Sequence, residues 1–315
     1  MTTRISRRAG RPPRAGADGR VGGASAVPNP SDAATRRERF LATDRYRAQR
    51  EWNRYEGTPQ RDLFRELRER FLRRHPGDGR WALDLGAGPG RFTPALGGPD
   101  ARRVAVDLSR EMLRFLPSGP VRVGRESVDR LIADALHAPF SPDRFGTVAL
   151  MGNAVGFAGG DATRVLESAE RLVSPGGTLI VEIAPGPGER ARYLARLPPT
   201  AVGRLFEAPP RAILPRIVRE GFVREPRRHR ERGFQRLAAT ELLDRWRAPH
   251  WELRECAAIA PALGPDPDRI ARIRPVPKAW AHLVEVEETL GREPARWPEA
   301  AAVLLAVRRV SGGHD

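Results

Sequence analysis

WALDLGAGPGRFT, residues Trp81 to Thr93, is the stretch on which the fold turns. Trp81, Ala82, Leu83 and Leu85 suit a short parallel strand covered on both faces, interrupted by one carboxylate at Asp84. Gly86, Gly88 and Gly90 follow, which predicts a glycine-rich turn opening a helix, with backbone N–H groups able to approach a ligand unobstructed by Cβ atoms. Strand, glycine turn and helix in that order form a nucleotide-type cradle.

Two ligand classes use such a cradle. A dinucleotide site has the spacing G-x-G-x-x-G, whose third glycine allows close helix–strand packing, and seats a pyrophosphate at a helix N-terminus. Here the run is Gly86-Ala87-Gly88-Pro89-Gly90-Arg91, so the third glycine comes one position early and Arg91 stands in its place. S-adenosylmethionine instead carries a sulfonium and an amino acid end, and a carboxylate at Asp84 suits that cation better than a phosphate. DLGAGPG resembles the first motif of the class I S-adenosylmethionine-dependent methyltransferases.

The segments that follow resemble the same family in order. Arg103 to Leu108 reads as a second strand ending in Asp107, about 20 residues after the first motif, where a ribose-binding acid is expected. Ser109 is a plausible N-cap for a helix that turns Met112 and Leu113 inward. Leu131 to Ala135 ends a third strand with Asp134-Ala135, similar to the family's Asp-Ala pair at the adenine amino group. Phe145 to Asn153 is a fourth strand running into a loop, and Ser174-Pro175-Gly176-Gly177-Thr178 is the expected turn before a fifth strand, LIVEIA. The resemblance covers residues 78 to 185 and implies a Rossmann-like, doubly wound α/β sheet of seven strands. That sheet would be mostly parallel with an antiparallel edge hairpin, and helices would cover both faces. It implies S-adenosyl-L-methionine as cofactor, held by Asp84, Gly86, Ala87, Gly88, Gly90, Asp107, Leu108, Asp134, Ala135, Gly152 and Asn153.

Each of these residues also has a plainer reading. Gly90 can serve the turn sterically, and Asp107 and Asp134 can be ordinary strand-end carboxylates. The chain's 31 glycines and 30 prolines make isolated glycines uninformative, so the order of the motifs carries the argument.

Around this core, residues 1–35 are rich in Gly, Pro, Ala and Arg and poor in large apolar side chains, the composition of a disordered basic tail. Residues 36–77 are expected to be helical. Thr58 and Pro59 start a helix with an apolar stripe of Leu63, Phe64, Leu67, Phe71 and Leu72, and the family resemblance makes this region a lid over the cofactor. Tyr46 and Tyr55 read first as packing aromatics. Residues 78–184 are the cofactor-binding core. Residues 185–250, rich in Pro and Arg, read as a substrate cap with short helices around Arg190, Tyr193, Leu194 and Leu197 and over 213–223. In 251–315, Trp251 to Ala257 and Ala301 to Val310 read as the edge hairpin, with a helix over Ala279 to Leu290 that turns Trp280, Leu283 and Val284 to one side.

A formal charge of +16 raises nucleic acid as a partner, through Arg4, Arg7, Arg8, Arg11 and Arg14 in the tail and the run Arg224 to Arg236. Lys278, however, is the sole lysine, and arginines are scattered along the whole chain while aromatics are 6% of it, a pattern of coding bias more than of a nucleic-acid groove. No apolar run reaches the roughly 18 residues of a membrane span, and no hydrophobic segment follows Arg7-Arg8. The single cysteine, Cys256, excludes an intramolecular disulfide and a cysteine-cluster metal site, so the chain reads as cytoplasmic and metal-free, with Cys256 a small buried hydrophobe. Nothing sets an oligomeric state.

The reaction that the resemblance implies is in-line methyl transfer to a small-molecule acceptor, in which alignment and exclusion of water do most of the work. Asn153, and His137 as a base, are the candidate catalytic residues; His137 reads more readily as a surface or packing histidine. Two alternatives stand beside it: an RNA methyltransferase using the arginine-rich insert and tail, and a non-catalytic cofactor-binding module. The Asn-Pro-Pro-Tyr signature of many amino-group nucleic-acid methyltransferases is absent.

Overall fold

The computed structural model describes residues 48–116, 128–158, 161–184, 239–247, 249–263 and 266–311. Seven strands form one sheet: β1 (Trp81–Leu85), β2 (Arg102–Asp107), β3 (Val128–Ile132), β4 (Phe145–Leu150), β5 (Val173–Ile183), β6 (Trp251–Ala258) and β7 (Val303–Arg309). Their order is β3-β2-β1-β4-β5-β7-β6, with the first five parallel and β7 antiparallel to both β5 and β6. This is the Rossmann-like sheet with an edge hairpin that the motif order implied. The reversal of strand order between β1 and β4 opens a crevice at their carboxyl ends, the usual place for a ligand in such sheets.

The described α-helices are α1 (Ala48–Trp52), α2 (Pro59–Arg74), α3 (Arg110–Leu113), α4 (Ala154–Phe157), α5 (Ala162–Leu172), α6 (Ala239–Arg245), α7 (Pro267–Ile273) and α8 (Pro277–Gly291). Strand alternation divides the core in two. Leu83, Leu85, Val106, Val148 and Leu150 face α5 and α6 through Val165, Leu166, Leu172, Leu242 and Trp246. Ala82, Ala149, Met151, Ile180 and Leu304 face α2, α7 and α8 through Leu63, Phe71, Ile270, Trp280 and Val284.

α2 forms as its sequence directs. Thr58 Oγ1 accepts the Arg61 N–H at 3.3 Å, Pro59 occupies the first turn, and the pairs Glu66–Arg70 and Glu69–Arg73 run along the helix at 3.0 and 3.1 Å. The stripe of Leu63, Leu67, Phe71 and Leu72 is buried, and each such side chain contributes about 1.5–3 kcal/mol relative to exposure. α8 buries Trp280, Leu283 and Val284 on one face, as the spacing predicted.

Two local expectations differ from the structure. The turn after Gly90 opens no long helix: a three-residue 3-10 turn, Thr93–Ala95, is followed by Gly97, Gly98 and Pro99, which cannot propagate one. Ser174 to Thr178 does not precede β5 but lies inside it. Register passes from Phe145 opposite Val173 to Thr147 opposite Thr178, so the Pro-Gly-Gly run is a bulge, with Gly176 at φ +80°.

The bulge belongs to a backbone-on-backbone contact at the amino end of the sheet. A Cβ at Gly146 would fall 2.1 Å from the Asp78 carbonyl oxygen, and one at Gly77 would fall 2.0 Å from that of Gly146. Cys256 is buried on β6, and burial pushes its thiol up to about 12. Among the described residues no helix is long and apolar enough to cross a membrane. The tail, Tyr46, the residues around Arg190 and Ile213, and the run Arg224 to Arg236 lie outside the described residues.

Candidate functional site

The glycine turn is fixed by β2. The N–H groups of Gly86 and Ala87 both donate to the Val106 carbonyl at 2.8 and 2.9 Å, the Gly88 N–H donates to Asp107 Oδ2 at 2.8 Å, and the Gly90 N–H donates to Ala87 O at 2.9 Å. The donors that the sequence suggested for a ligand are therefore spent on holding the turn. What the turn offers a ligand is open space: among the described residues nothing lies within 4 Å of where a Cβ on Gly88 would stand, and its φ is +56°.

The other two glycines serve packing. A Cβ on Gly86 would meet Ala154 Cβ at 2.9 Å, and one on Gly90 would lie 2.2 Å from the Leu116 side chain. For Gly90 the steric reading is the one the geometry carries. Arg91, where a dinucleotide site has its third glycine, reaches back to the N-terminal segment. Its guanidinium lies 3.9 Å over the Trp52 ring and bonds the Trp52 carbonyl at 2.7 Å and Glu56 Oε1 at 2.6 Å.

Two buried carboxylates flank this turn. Asp84 is 1% exposed; Thr93 Oγ1 donates to its Oδ2 at 2.6 Å, and its Oδ1 is a buried oxygen without a hydrogen-bond partner among the described residues. Burial pushes the Asp84 carboxyl up to about 7, against the Thr93 hydrogen bond, with the nearby Asp107 charge adding to the rise. Asp107 ends β2 and receives the Gly88 N–H on Oδ2 and the Ser109 N–H on Oδ1; burial raises its pKa while those two donors oppose it. Leu108 separates it from Ser109, whose Oγ accepts the Met112 N–H and starts α3.

Asp134 accepts the Leu136 N–H at 3.0 Å and caps the 3-10 turn of Ala135–His137. Asn153 stands at φ +65°, directly after Gly152 at +63°. Its Oδ1 accepts the Ala184 N–H at 3.2 Å, tying the exits of β4 and β5. A Cβ on Gly156 would fall 2.4 Å from Asn153 Nδ2, so Gly156 makes room for that side chain.

Asp84, Gly88 and Asp107 are thus brought together at the ends of β1 and β2. Asn153 stands beyond β4, on the other side of the crevice. His137 is exposed and ends the 3-10 turn that follows β3, a turn that packs on α5.

One cluster at these strand ends was not expected from the sequence. Arg68 on α2 and Glu182 on β5 form a bidentate pair, Nη2 to Oε1 at 2.8 Å and Nε to Oε2 at 3.1 Å, with side chains only 5% and 4% exposed. Glu182 Oε2 also accepts the Gly152 N–H at 3.1 Å, and Arg68 Nη1 donates to the Phe64 carbonyl. Burial alone would push the Glu182 carboxyl up; Arg68 outweighs it and holds the group below its ordinary value. The Arg68 guanidinium sits 5.2 Å from the Tyr55 ring centroid, and Tyr55 meets Phe92 edge-on at 5.0 Å, which makes Tyr55 a packing aromatic. The signal was one arginine inside the apolar stripe of α2 and one glutamate inside the apolar run of β5, two opposite charges on faces that must be buried.

Residues 82–177 match the family model described as a methyltransferase domain. No curated protein matches the chain. Among solved structures, the chain is similar to a Burkholderia thailandensis 1,6-didemethyltoxoflavin-N1-methyltransferase with that compound and S-adenosylhomocysteine bound. The identity is 16%, covering 91% of this chain and 93% of that one, with TM-score 0.48. It is also similar to the methyltransferase in a Haloferax volcanii complex with the activator Trm112, at 19% identity, 81% and 92% coverage and TM-score 0.46. A Thermotoga maritima protein described as a possible histamine N-methyltransferase is similar at 17% identity, 79% and 89% coverage and TM-score 0.46.

Proposed function

With residues 82–177 forming a class I S-adenosylmethionine-dependent methyltransferase domain, we propose that this chain transfers the methyl group of its cofactor to a small-molecule acceptor. The observation that carries the reading is the paired carboxylate site at the glycine turn, with one buried Asp84 oxygen unpartnered and the Gly88 face open. These residues fit S-adenosyl-L-methionine. Asp107 and Leu108 would hold the ribose side, Asp134 and Ala135 the adenine, and Gly86 to Gly90 the turn around the amino acid end, whose positive charge Asp84 complements. When bound, the cofactor supplies an electrophilic methyl group on a sulfonium. The chain's own residues orient it, exclude water from it and, through Gly152 and Asn153, shape the side from which an acceptor approaches.

A small-molecule acceptor is favoured by how the described arginines are used. Arg54, Arg70, Arg73, Arg74, Arg114, Arg164, Arg245, Arg274, Arg292, Arg308 and Arg309 all pair with acidic side chains of the same chain. Charge already matched within the chain leaves a weaker positive field for a phosphate backbone. The same reading includes a cytoplasmic location.

Calorimetric titration with S-adenosylmethionine, S-adenosylhomocysteine and NAD tests the cofactor. Saturable binding of the two adenosyl compounds without NAD is expected, and binding of NAD alone would overturn the reading. A screen for S-adenosylhomocysteine released with small-molecule acceptors then tests the acceptor class. Turnover found only with RNA, falling steeply with salt and lost on replacing Arg227, Arg228 and Arg230, would assign the RNA alternative instead.

A further inference from the structure

We infer that Glu182, held by Arg68, is the positioning residue for the cofactor-side turn at Gly152 and Asn153. The inference rests on the cofactor reading above and deepens it. Gly152 and Asn153 are consecutive left-handed residues at φ +63° and +65°, and Asn153 has a Cβ that disfavours that conformation, so something outside the turn must hold it.

Two bonds from the end of β5 do so. The Gly152 N–H donates to Glu182 Oε2 at 3.1 Å, and the Ala184 N–H donates to Asn153 Oδ1 at 3.2 Å. A carboxylate as buried as Glu182 stays ionised and immobile only with a cation fixed beside it, and Arg68 supplies that in a two-point fork.

Arg68 is in turn placed by both the helix and the cradle. Its Nη1 bonds Phe64 O within α2, and its guanidinium lies by the Tyr55 ring, which also meets Phe92 just after the glycine turn. The two ends of the site, the turn after β1 and the turn after β4, are thereby referred to one buried ion pair. A pair serving stability alone is often replaceable by apolar side chains without loss. A pair serving position is not, because the Gly152 N–H would lose its acceptor.

The test uses S-adenosylhomocysteine as probe on the full chain, with affinity by calorimetry and melting temperature measured together. R68M/E182L removes both charges and leaves no orphan ion, while R68M/E182Q keeps a carbonyl oxygen that can accept the Gly152 N–H. The expected result is cooperative melting of both, affinity at least about tenfold weaker in R68M/E182L, and recovery to within about threefold of wild type in R68M/E182Q. Amide exchange in the peptide 150–157 should quicken in the first variant and not in the second.

Unchanged affinity in R68M/E182L, or equal weakening in both, overturns the inference. Should R68M/E182L not melt cooperatively, E182D against R68M/E182Q carries the comparison. E182D withdraws the acceptor from Gly152 and should weaken binding, R68M/E182Q keeps an acceptor of the same length and should not, and equal affinities would overturn the inference. Wild-type protein that binds no S-adenosylhomocysteine overturns the cofactor reading itself, and is distinguished by needing no variant at all.

Discussion

Asp84 shows how much one burial decision sets. In the unfolded chain its carboxyl has the ordinary value of 3.8, and in the fold burial raises it to about 7. Between those values the folded chain keeps a proton that the unfolded chain has released, so this group's contribution to stability falls as pH rises. The penalty grows to roughly 4 kcal/mol and is constant above about pH 7. Asp84→Asn keeps an acceptor for Thr93 and removes the titration. Thermal melts across that range should show wild type losing stability relative to the variant, and a constant difference between them would contradict the assignment. A cation bound beside Asp84 favours its ionised form, so S-adenosylmethionine binding at about pH 6 should release protons, detectable by calorimetry in buffers of different ionisation heat. Asp107→Ala removes the acceptor of two N–H groups and the proposed ribose partner. Binding of S-adenosylhomocysteine should weaken by about 1–3 kcal/mol, and unchanged binding would mean that Asp107 is a structural carboxylate only.

Among the elements, α2 joins the core to the site, and its two roles separate by substitution. Phe71→Ala should cost about 3–5 kcal/mol in denaturant unfolding because Phe71 is fully enclosed. Thr58→Ala should cost only about 1 kcal/mol, for one lost cap bond at an exposed turn. These elements were legible in the sequence because each combines a local start signal with a periodic apolar face. Thr58-Pro59 starts α2, Ser109 starts α3, and β1, β2 and β4 are apolar runs closed by turn residues. What the sequence did not disclose depends on contacts between distant residues. Arg68 and Glu182 are 114 positions apart, and each alone reads as a charge out of place. The Pro-Gly-Gly bulge read as an ordinary turn because bulges are fixed by register with a neighbouring strand. The glycine turn's N–H groups looked available because their acceptors, Val106 O and Asp107, lie on another strand.

Across the described residues of the molecule, many charges are paired internally. Arg74 and Arg292 meet Glu255, to which His75 also hydrogen-bonds, Arg70 reaches Glu288, and Arg308 reaches Asp78, so helices and strands far apart in sequence are joined at their rims. Rim pairs contribute less the more they are exposed, and the exposed ones, such as Arg308–Asp78, are screened by salt. S-adenosylhomocysteine affinity should therefore change by less than about threefold between low and moderate salt, because the proposed cofactor site is built from buried carboxylates and an open glycine face. A steep decline would place the exposed arginines in the site.

The position of β7 between β5 and β6 has a consequence for how the chain is made. β6 is complete by Ala258, yet its only strand partner among the described residues, β7, begins at Val303. During synthesis β1 to β5 can pair as they emerge, but β6 lacks its native neighbour until the ribosome has released some fifty further residues, α7 and α8 among them. The last strand is thus a keystone, inserted between two that have been waiting, and a chain stopped before Val303 is expected to expose the flank of β5 and the apolar underside of α8 to chaperones and proteases.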